Sequence, residues 1–275
     1  MVRRLPLVLA LAAALYAADT LRVMTFDVRF PLASDGPNTW LARRDMMNAM
    51  IRDRQPDLFG AQELFQIQGD YFVEKLTAFA WFGLSRFGNH ADEHTGIFYR
   101  KSRFEMFDSG NFWLSETPDA PGSVSWNVFV PYMATWGDFL DRRTGRRFRW
   151  YNTHFPQRPE DAEARNNCAR EIALRVRGLP RSATIILTGD FNADISSEAH
   201  TILAGALTDA YQEVAKPSGP TGTLHSFSGK PGADRIDWIL YRGALKSVSI
   251  QTITFNEHGR YPSDHFPVMA VFGWK

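Results

Sequence analysis

Beyond residue 20 the chain alternates apolar runs of strand rhythm with runs of helical rhythm, and several strand-like runs end on an acidic, amide or imidazole side chain. The clearest run is Thr184 to Asp194, where apolar and β-branched residues lead into Thr188 and Gly189. This predicts a buried strand stopping at a sharp turn, with Asp190 and Asn192 at its carboxyl end. Ligands of open α/β sheets sit at that edge, where loops are free of packing duties. A capped tight turn is the plainer reading of the same residues.

In chain order, Leu21 to Val28 predicts a strand ending near Asp27. Asn38 to Arg54 has helical spacing at Leu41, Met46, Met47, Met50 and Ile51, with Asn38 or Thr39 as N-cap. Pro56 stops it, and Asp57 to Glu63 is a short buried strand. Phe65 to Phe79 predicts a second helix. Strands follow at Ala80 to Ser85, Thr95 to Arg100, Phe104 to Trp113, Pro131 to Asp141 and Arg147 to His154, the last two joined by an arginine-rich hairpin around Gly145. Those arginines read as a solvated edge rather than a phosphate grip. Asp161 to Arg177 is helical with Ile172, Leu174 and Val176 inward, and Ser196 to Ala204 is a short helix. Strands are expected at Thr223 to Phe227, Arg235 to Tyr241, Leu245 to Phe255 and Val268 to Phe272. A rigid loop, Arg260 to Pro267, holds Asp264 and His265 between prolines.

The N-terminus differs in kind. Arg3 and Arg4 precede an apolar, alanine-rich run from Leu5 to Ala18, which reads as an export signal cleaved near Ala17 or Ala18, leaving residues 19–275 as one catalytic domain, secreted or periplasmic. With 275 residues, 44% of them hydrophobic, the chain can bury a large core. Taking Arg3 and Arg4 from 31 basic residues leaves 29 against 30 acidic ones, so no general attraction to nucleic acid follows. Cys168 is the only cysteine, which excludes an intramolecular disulfide. A monomer is expected.

Gln62-Glu63, Asn152-Thr153-His154, Gly189-Asp190-Phe191-Asn192-Ala193, Arg235-Ile236-Asp237 and Ser263-Asp264-His265 resemble, in order and strand context, the motifs of the endonuclease/exonuclease/phosphatase superfamily, over about Leu21 to Trp274. Phe112 to Pro118 resembles a bacterial subgroup of metal-dependent hydrolases. The resemblance implies a four-layer α/β sandwich, two mainly antiparallel sheets with helices outside. It also pairs His265 with Asp237, and His154 with Glu93.

Hydrolysing a phosphate ester requires charge neutralisation on the phosphoryl oxygens, an activated water and a proton for the leaving oxygen. Glu63 and Asp264, with Asp27 beside them, are hard oxygen ligands suited to Mg²⁺, with Mn²⁺ or Ca²⁺ as substitutes. Zinc fits less well without thiolates or a histidine cluster. Asp190 and Asn192 would orient or deprotonate water. His265 would act as base or as an imidazolium on the phosphate, and His154 would protonate the leaving group. Members of the superfamily differ over which group is base and which is acid.

Asp27 departs from the superfamily asparagine, adding a charge where a neutral amide is usual; a raised carboxylate pKa, a second or tighter-bound cation, or impaired activity could follow, and tighter cation binding is the outcome expected. Phe155-Pro156-Gln157 after His154, and the lack of arginine after Glu63, argue against DNA cleavage. The function expected is an exported Mg²⁺-dependent phosphodiesterase on small or lipid-linked esters. The alternatives are a secreted nuclease and a non-catalytic phospho-ligand binder. Sugar stacking on Trp113, Trp126 and Trp136 is a weaker reading, since strand aromatics usually serve the core. Loops at residues 31–40, 88–93, 115–130 and 256–262 would choose the substrate.

Overall fold

Strand β1 (Thr20–Asp27) shows how the molecule is layered. Successive strand side chains point to opposite faces. Leu21 and Val23 enter one apolar cluster, whereas Met24 and Phe26 enter another. The computed structural model describes residues 20–275, so the export signal and its cleavage point lie outside the described residues.

Helix α1 (Trp40–Arg54) links β1 to β2 (Leu58–Leu64), which lie parallel. Helix α2 (Gln66–Lys75) leads to β3 (Phe79–Phe82), β4 (His94–Arg100) and β5 (Phe104–Trp113). Then β6 (Met133–Asp141) and β7 (Arg146–His154) form the hairpin, and helix α3 (Ala162–Gly178) crosses to β8 (Ile185–Asp190), parallel to β7. The chain finishes through α4 (Glu198–Ala204), β9 (Thr208–Asp209), α5 (Ala210–Glu213), β10 (Asp237–Arg242), β11 (Leu245–Thr252) and β12 (Val268–Trp274).

Two six-stranded sheets result, ordered β11-β12-β1-β2-β4-β3 and β5-β6-β7-β8-β10-β9. In each, one parallel pair sits among antiparallel neighbours. One apolar cluster fills the space between the sheets, a second joins the first sheet to α1 and α2, and a third joins the second sheet to α3 and α4. The architecture is the expected four-layer α/β sandwich.

Several expectations change in detail. Gly189 lies inside β8 rather than at its end, and a Cβ there would stand 2.5 Å from the carbonyl oxygen of Thr153 on the parallel neighbour. The glycine serves close strand approach, and the sharp turn falls at Asn192, with φ of 47°. Residues 223–227 form no strand, only an isolated bridge between Leu224 and His265, and Ser226 and Phe227 turn the backbone at positive φ. Leu41 and Leu174 are 70% and 66% exposed, not core residues. In α1 the inward positions on either side of Leu41 are filled by Trp40 and Arg43, and α3 packs mainly through small residues such as Ala164, Cys168, Ala169 and Ala173. Periodicity did not reveal β9 or α5, which are too short to show one.

Candidate active site

The inner face of each central strand is apolar over most of its length and turns polar at one end. On β1 the inward series runs Leu21, Val23, Thr25, Asp27; on β7 it runs Phe148, Trp150, Asn152, His154; on β8 it runs Ile186, Thr188, Asp190. Strand β10 runs the other way and contributes Tyr241, Ile239 and Asp237. Register aligns the polar ends, because His154 pairs with Asp190 and Asp190 with Asp237. The site is therefore the polar end of the inter-sheet core.

Beneath it Asn152 ties the sheets together. Its amide donates to the carbonyls of Ala61 and Gly96 at 2.9 and 3.0 Å, while its Oδ1 accepts from Gln62 at 2.6 Å and Thr188 at 2.9 Å. A Cβ on Gly60 would stand 2.4 Å from that Oδ1, so the bridge requires glycine opposite. Asn152 stands with the candidate catalytic residues in sequence, but in space it is a buried cross-link.

Asp190 is common to two clusters. Single ligand atoms of Asp27, His154 and Asp190 lie within 4.8 Å of one another, as do those of Asp190, Asp237 and His265. His154 Nδ1 is 2.8 Å from Glu93 and its Nε2 is 3.5 Å from Asp190; His265 Nδ1 is 2.9 Å from Asp237. Asn192 donates its backbone N–H to Asp190 at 2.8 Å and its side-chain amide to the Phe155 carbonyl at 3.0 Å, which turns the amide nitrogen to within 3.0 Å of His154 Nε2. A neutral ring with its proton on Nδ1, toward Glu93, accepts that contact. A proton arriving on Nε2 would face Asp190 instead.

Glu63 and Asp264 approach the same space from other loops. Each has a carboxylate oxygen 3.7 Å from the Arg29 guanidinium, which also binds Asp35 through Nε and Nη2 at 3.2 and 3.0 Å. Glu63 Oε2 accepts from the Phe30 N–H at 3.1 Å. Arg29, Glu63 and Asn192 all hold left-handed backbone at φ of 56°, 54° and 47°, a strained conformation that concentrates at functional sites. Asp27 and Asp190 each accept the N–H two residues on, so one Asx turn recurs in both sheets.

Burial dominates the electrostatics. It pushes Asp27 and Asp190 up to about 7, against partial relief from His265 and His154, and Glu63 up to about 8, against relief from His154. Burial also works against charge on Glu93 and His154, but Arg86 and His154 outweigh it on Glu93 and hold that carboxyl at about 2, while Glu93 raises His154 to about 9. His265 lies well above its ordinary value because Asp237 and Asp27 outweigh its burial. The carboxylates are thus short of positive charge. Asp27 Oδ2 and Asp237 Oδ1 are buried without a hydrogen-bond partner, and each lies in a cluster of carboxylates with one histidine. The groups whose ligand atoms come together are Asp27, His154 and Asp190, and Asp190, Asp237 and His265; Glu63 and Asp264, the carboxylates expected to hold the metal with Asp27, belong to neither and face Arg29 instead. Cys168, the one thiol, is buried in the α3 core.

The structure brings Asp27, Glu63, Glu93, His154, Asp190, Asn192, Asp237, Asp264 and His265 to one end of the sandwich. Sequence reading missed several supporting residues. Arg86 binds Glu93 at 2.6 Å, and Arg29 with Asp35 stands against the carboxylates. Arg43, 1% exposed, donates to the carbonyls of Val28, Arg29, Asn38 and Pro262, joining the loop after β1 to the one before Asp264. Its only signal was an arginine at an inward helical position. Arg235 turns away from the site to bind buried Asp209, which also holds His200. Trp113 is buried and donates to the Arg86 carbonyl, and Trp136 packs against the α3 side under Arg149; neither offers a sugar platform at the site.

Two facing mixed sheets with acidic and imidazole groups at one end of their shared core define a hydrolase of phosphoester type. The chain belongs to the endonuclease/exonuclease/phosphatase family, whose model matches residues 24–265. It is similar to a family protein from Bacteroides thetaiotaomicron, with 30% identity over 93% of this chain and 98% of that one and a TM-score of 0.88. A mannosyl-6-phosphatase from the same organism is 30% identical over 92% of this chain and all (100%) of that one, with a TM-score of 0.86. The catalytic domain of human Nocturnin, 21% identical over 94% of each chain with a TM-score of 0.76, shares the fold. No curated protein matches the sequence.

Proposed function

We propose that the protein is an exported, Mg²⁺-dependent phosphoesterase acting on small or lipid-linked phosphate esters. The observation that carries this reading is the pair of histidine–carboxylate dyads, Glu93–His154 and Asp237–His265, placed around the one carboxylate, Asp190. Asp190, steadied by Asn192, orients a water and takes its proton. His154 delivers a proton to the leaving oxygen, and Glu93 fixes its ring. His265, held cationic by Asp237, grips a phosphoryl oxygen. A cation held by Asp27, Glu63 and Asp264 would supply Lewis-acid neutralisation of the phosphate, with Mn²⁺ or Ca²⁺ as substitutes for Mg²⁺.

A phosphodiester is the substrate class expected from sequence, and a sugar phosphomonoester is a second reading. The monoester reading is favoured by Arg29, a further cation beside Glu63 and Asp264, and by the similarity to the mannosyl-6-phosphatase. A dianionic monoester needs more positive charge than a diester. The deciding experiment offers nitrophenyl phosphate, bis-nitrophenyl phosphate, mannose 6-phosphate, sphingomyelin, and single-stranded and duplex DNA, with Mg²⁺ or with chelator. Cation-dependent turnover of a small ester, with DNA untouched, supports the proposal. Plasmid degradation at low salt would replace it with a nuclease. No turnover with any divalent ion, alongside thermal stabilisation by a phosphorylated ligand, would show a binding protein instead.

A further inference from the structure

At the far end of the first sheet lies a cavity of about 640 Å³, lined chiefly by polar groups from elements distant in sequence. Arg22 comes from the start of β1, Arg100 from the end of β4, Arg103 from the turn after it, and Arg143 from the arginine-rich hairpin. Strand β1 separates this cavity from the hydrolytic centre, because Arg22 and Asp27 are five residues apart, roughly 17 Å at about 3.3 Å per residue. An ester undergoing hydrolysis therefore does not reach it.

The neighbouring carboxylates are already committed. Asp141, wholly buried, takes Arg103 through Nε and Nη2, at 3.2 and 2.7 Å. Asp57 takes Arg103 Nη1 at 2.8 Å and the Arg22 backbone N–H at 2.9 Å. Arg100 Nε donates to the Pro56 carbonyl, and its approach to Asp57 is 4.0 Å. The Arg22 guanidinium has no ion pair among the described residues, and its Nε is buried without a hydrogen-bond partner. Arg22 is half-buried, and its guanidinium stands beside those of Arg100 and Arg103, so a cluster of like charges faces the cavity and favours an anion there.

We propose that this cavity is a second, non-hydrolytic anion site that takes a small phosphate-bearing molecule. The fork of a guanidinium matches phosphate oxygens two at a time, and Ser102 and Gln55 add uncharged donors at the rim. The volume lies within the range of small-molecule pockets, about 300–1,000 Å³, and exceeds what one phosphate group fills. Pyrophosphate therefore serves as the probe, with inorganic phosphate as its smaller comparison.

Titration calorimetry on the full chain in EDTA should give saturable binding of pyrophosphate, tighter than inorganic phosphate. Arg22→Gln and Arg100→Gln should each raise the dissociation constant at least tenfold without changing hydrolysis. Arg22→Lys, which keeps the charge and loses the fork, should fall between, and it serves if Arg22→Gln does not fold. His265→Asn should leave the binding unchanged. Three results would overturn the proposal: no saturable heat, equal saturable heat from chloride at matched ionic strength, or binding lost in His265→Asn and kept in Arg22→Gln and Arg100→Gln.

Discussion

Asp27 is where a single side chain changes the character of the pocket. As a buried carboxylate with one oxygen unpartnered, it adds negative charge beside His154 and Asp190. Asp27→Asn should weaken Mg²⁺ binding about tenfold in calorimetry while sparing turnover at saturating Mg²⁺; a large gain in affinity would refute the assignment. His265→Asn and His154→Asn should each lower kcat by about 10²–10⁴, the usual scale for general acid–base groups, in steady-state assays on whichever ester is hydrolysed. The pKa shifts also set a sign. Folding raises Asp27 and Asp190 from 3.8 to about 7, Glu63 from 4.5 to about 8 and His154 from 6.5 to about 9. Each raised group binds its proton more tightly in the folded state. Its contribution is full below the unfolded value and is lost as pH climbs through the folded one. Glu93, lowered to about 2, acts oppositely, and its contribution fades only as pH falls below 4.5 toward that value. The melting temperature in EDTA should therefore fall from about pH 4.5, where Glu93 no longer opposes it, to about pH 9, and saturating Mg²⁺ should flatten the slope. A flat or rising curve in EDTA would contradict these shifts.

At the scale of elements, the pocket depends on how strand ends are held level. Asn152 on β7 bonds to β2 and β4 of the opposite sheet, so removing it leaves the Ala61 and Gly96 carbonyls and the Gln62 amide without partners. Each orphaned buried group costs about 1–3 kcal/mol. Asn152→Ala should lower stability by about 3 kcal/mol in urea denaturation, with a proportionate loss of activity as the sheets shift. Arg43 is the equivalent device for loops, since α1 carries it beneath the segments that present Asp27 and Asp264. Arg43→Met should retain the fold by circular dichroism but raise the Mg²⁺ requirement of the reaction. An unchanged requirement would mean that those loops hold their shape without it.

At the scale of the whole molecule, function resides where the inter-sheet core changes from apolar to polar, and this explains which features could be read from sequence. Most strands and the helices α1 and α3 were legible because period-two and period-3.6 patterns report which face of an element is buried, whereas the sandwich followed from the resemblance to the family. The acidic and imidazole residues at strand ends were legible because such groups interrupt apolar runs only at a cost, and their order resembles the motifs of a family. Position along the chain says nothing about depth. Sequence could not separate Asn152, which staples the sheets, from His154 two residues later, nor show that Gly189 admits a neighbouring strand rather than a turn. Arg29, Arg43 and Arg86 were invisible because an arginine on a loop or a helix looks solvated until the fold closes over it. The chain itself therefore determined the elements, the family and the chemical types in the pocket, since these follow from local pattern and residue identity. Tertiary structure alone decided which charges face one another and which are buried together, because both depend on distances between strands far apart in the chain.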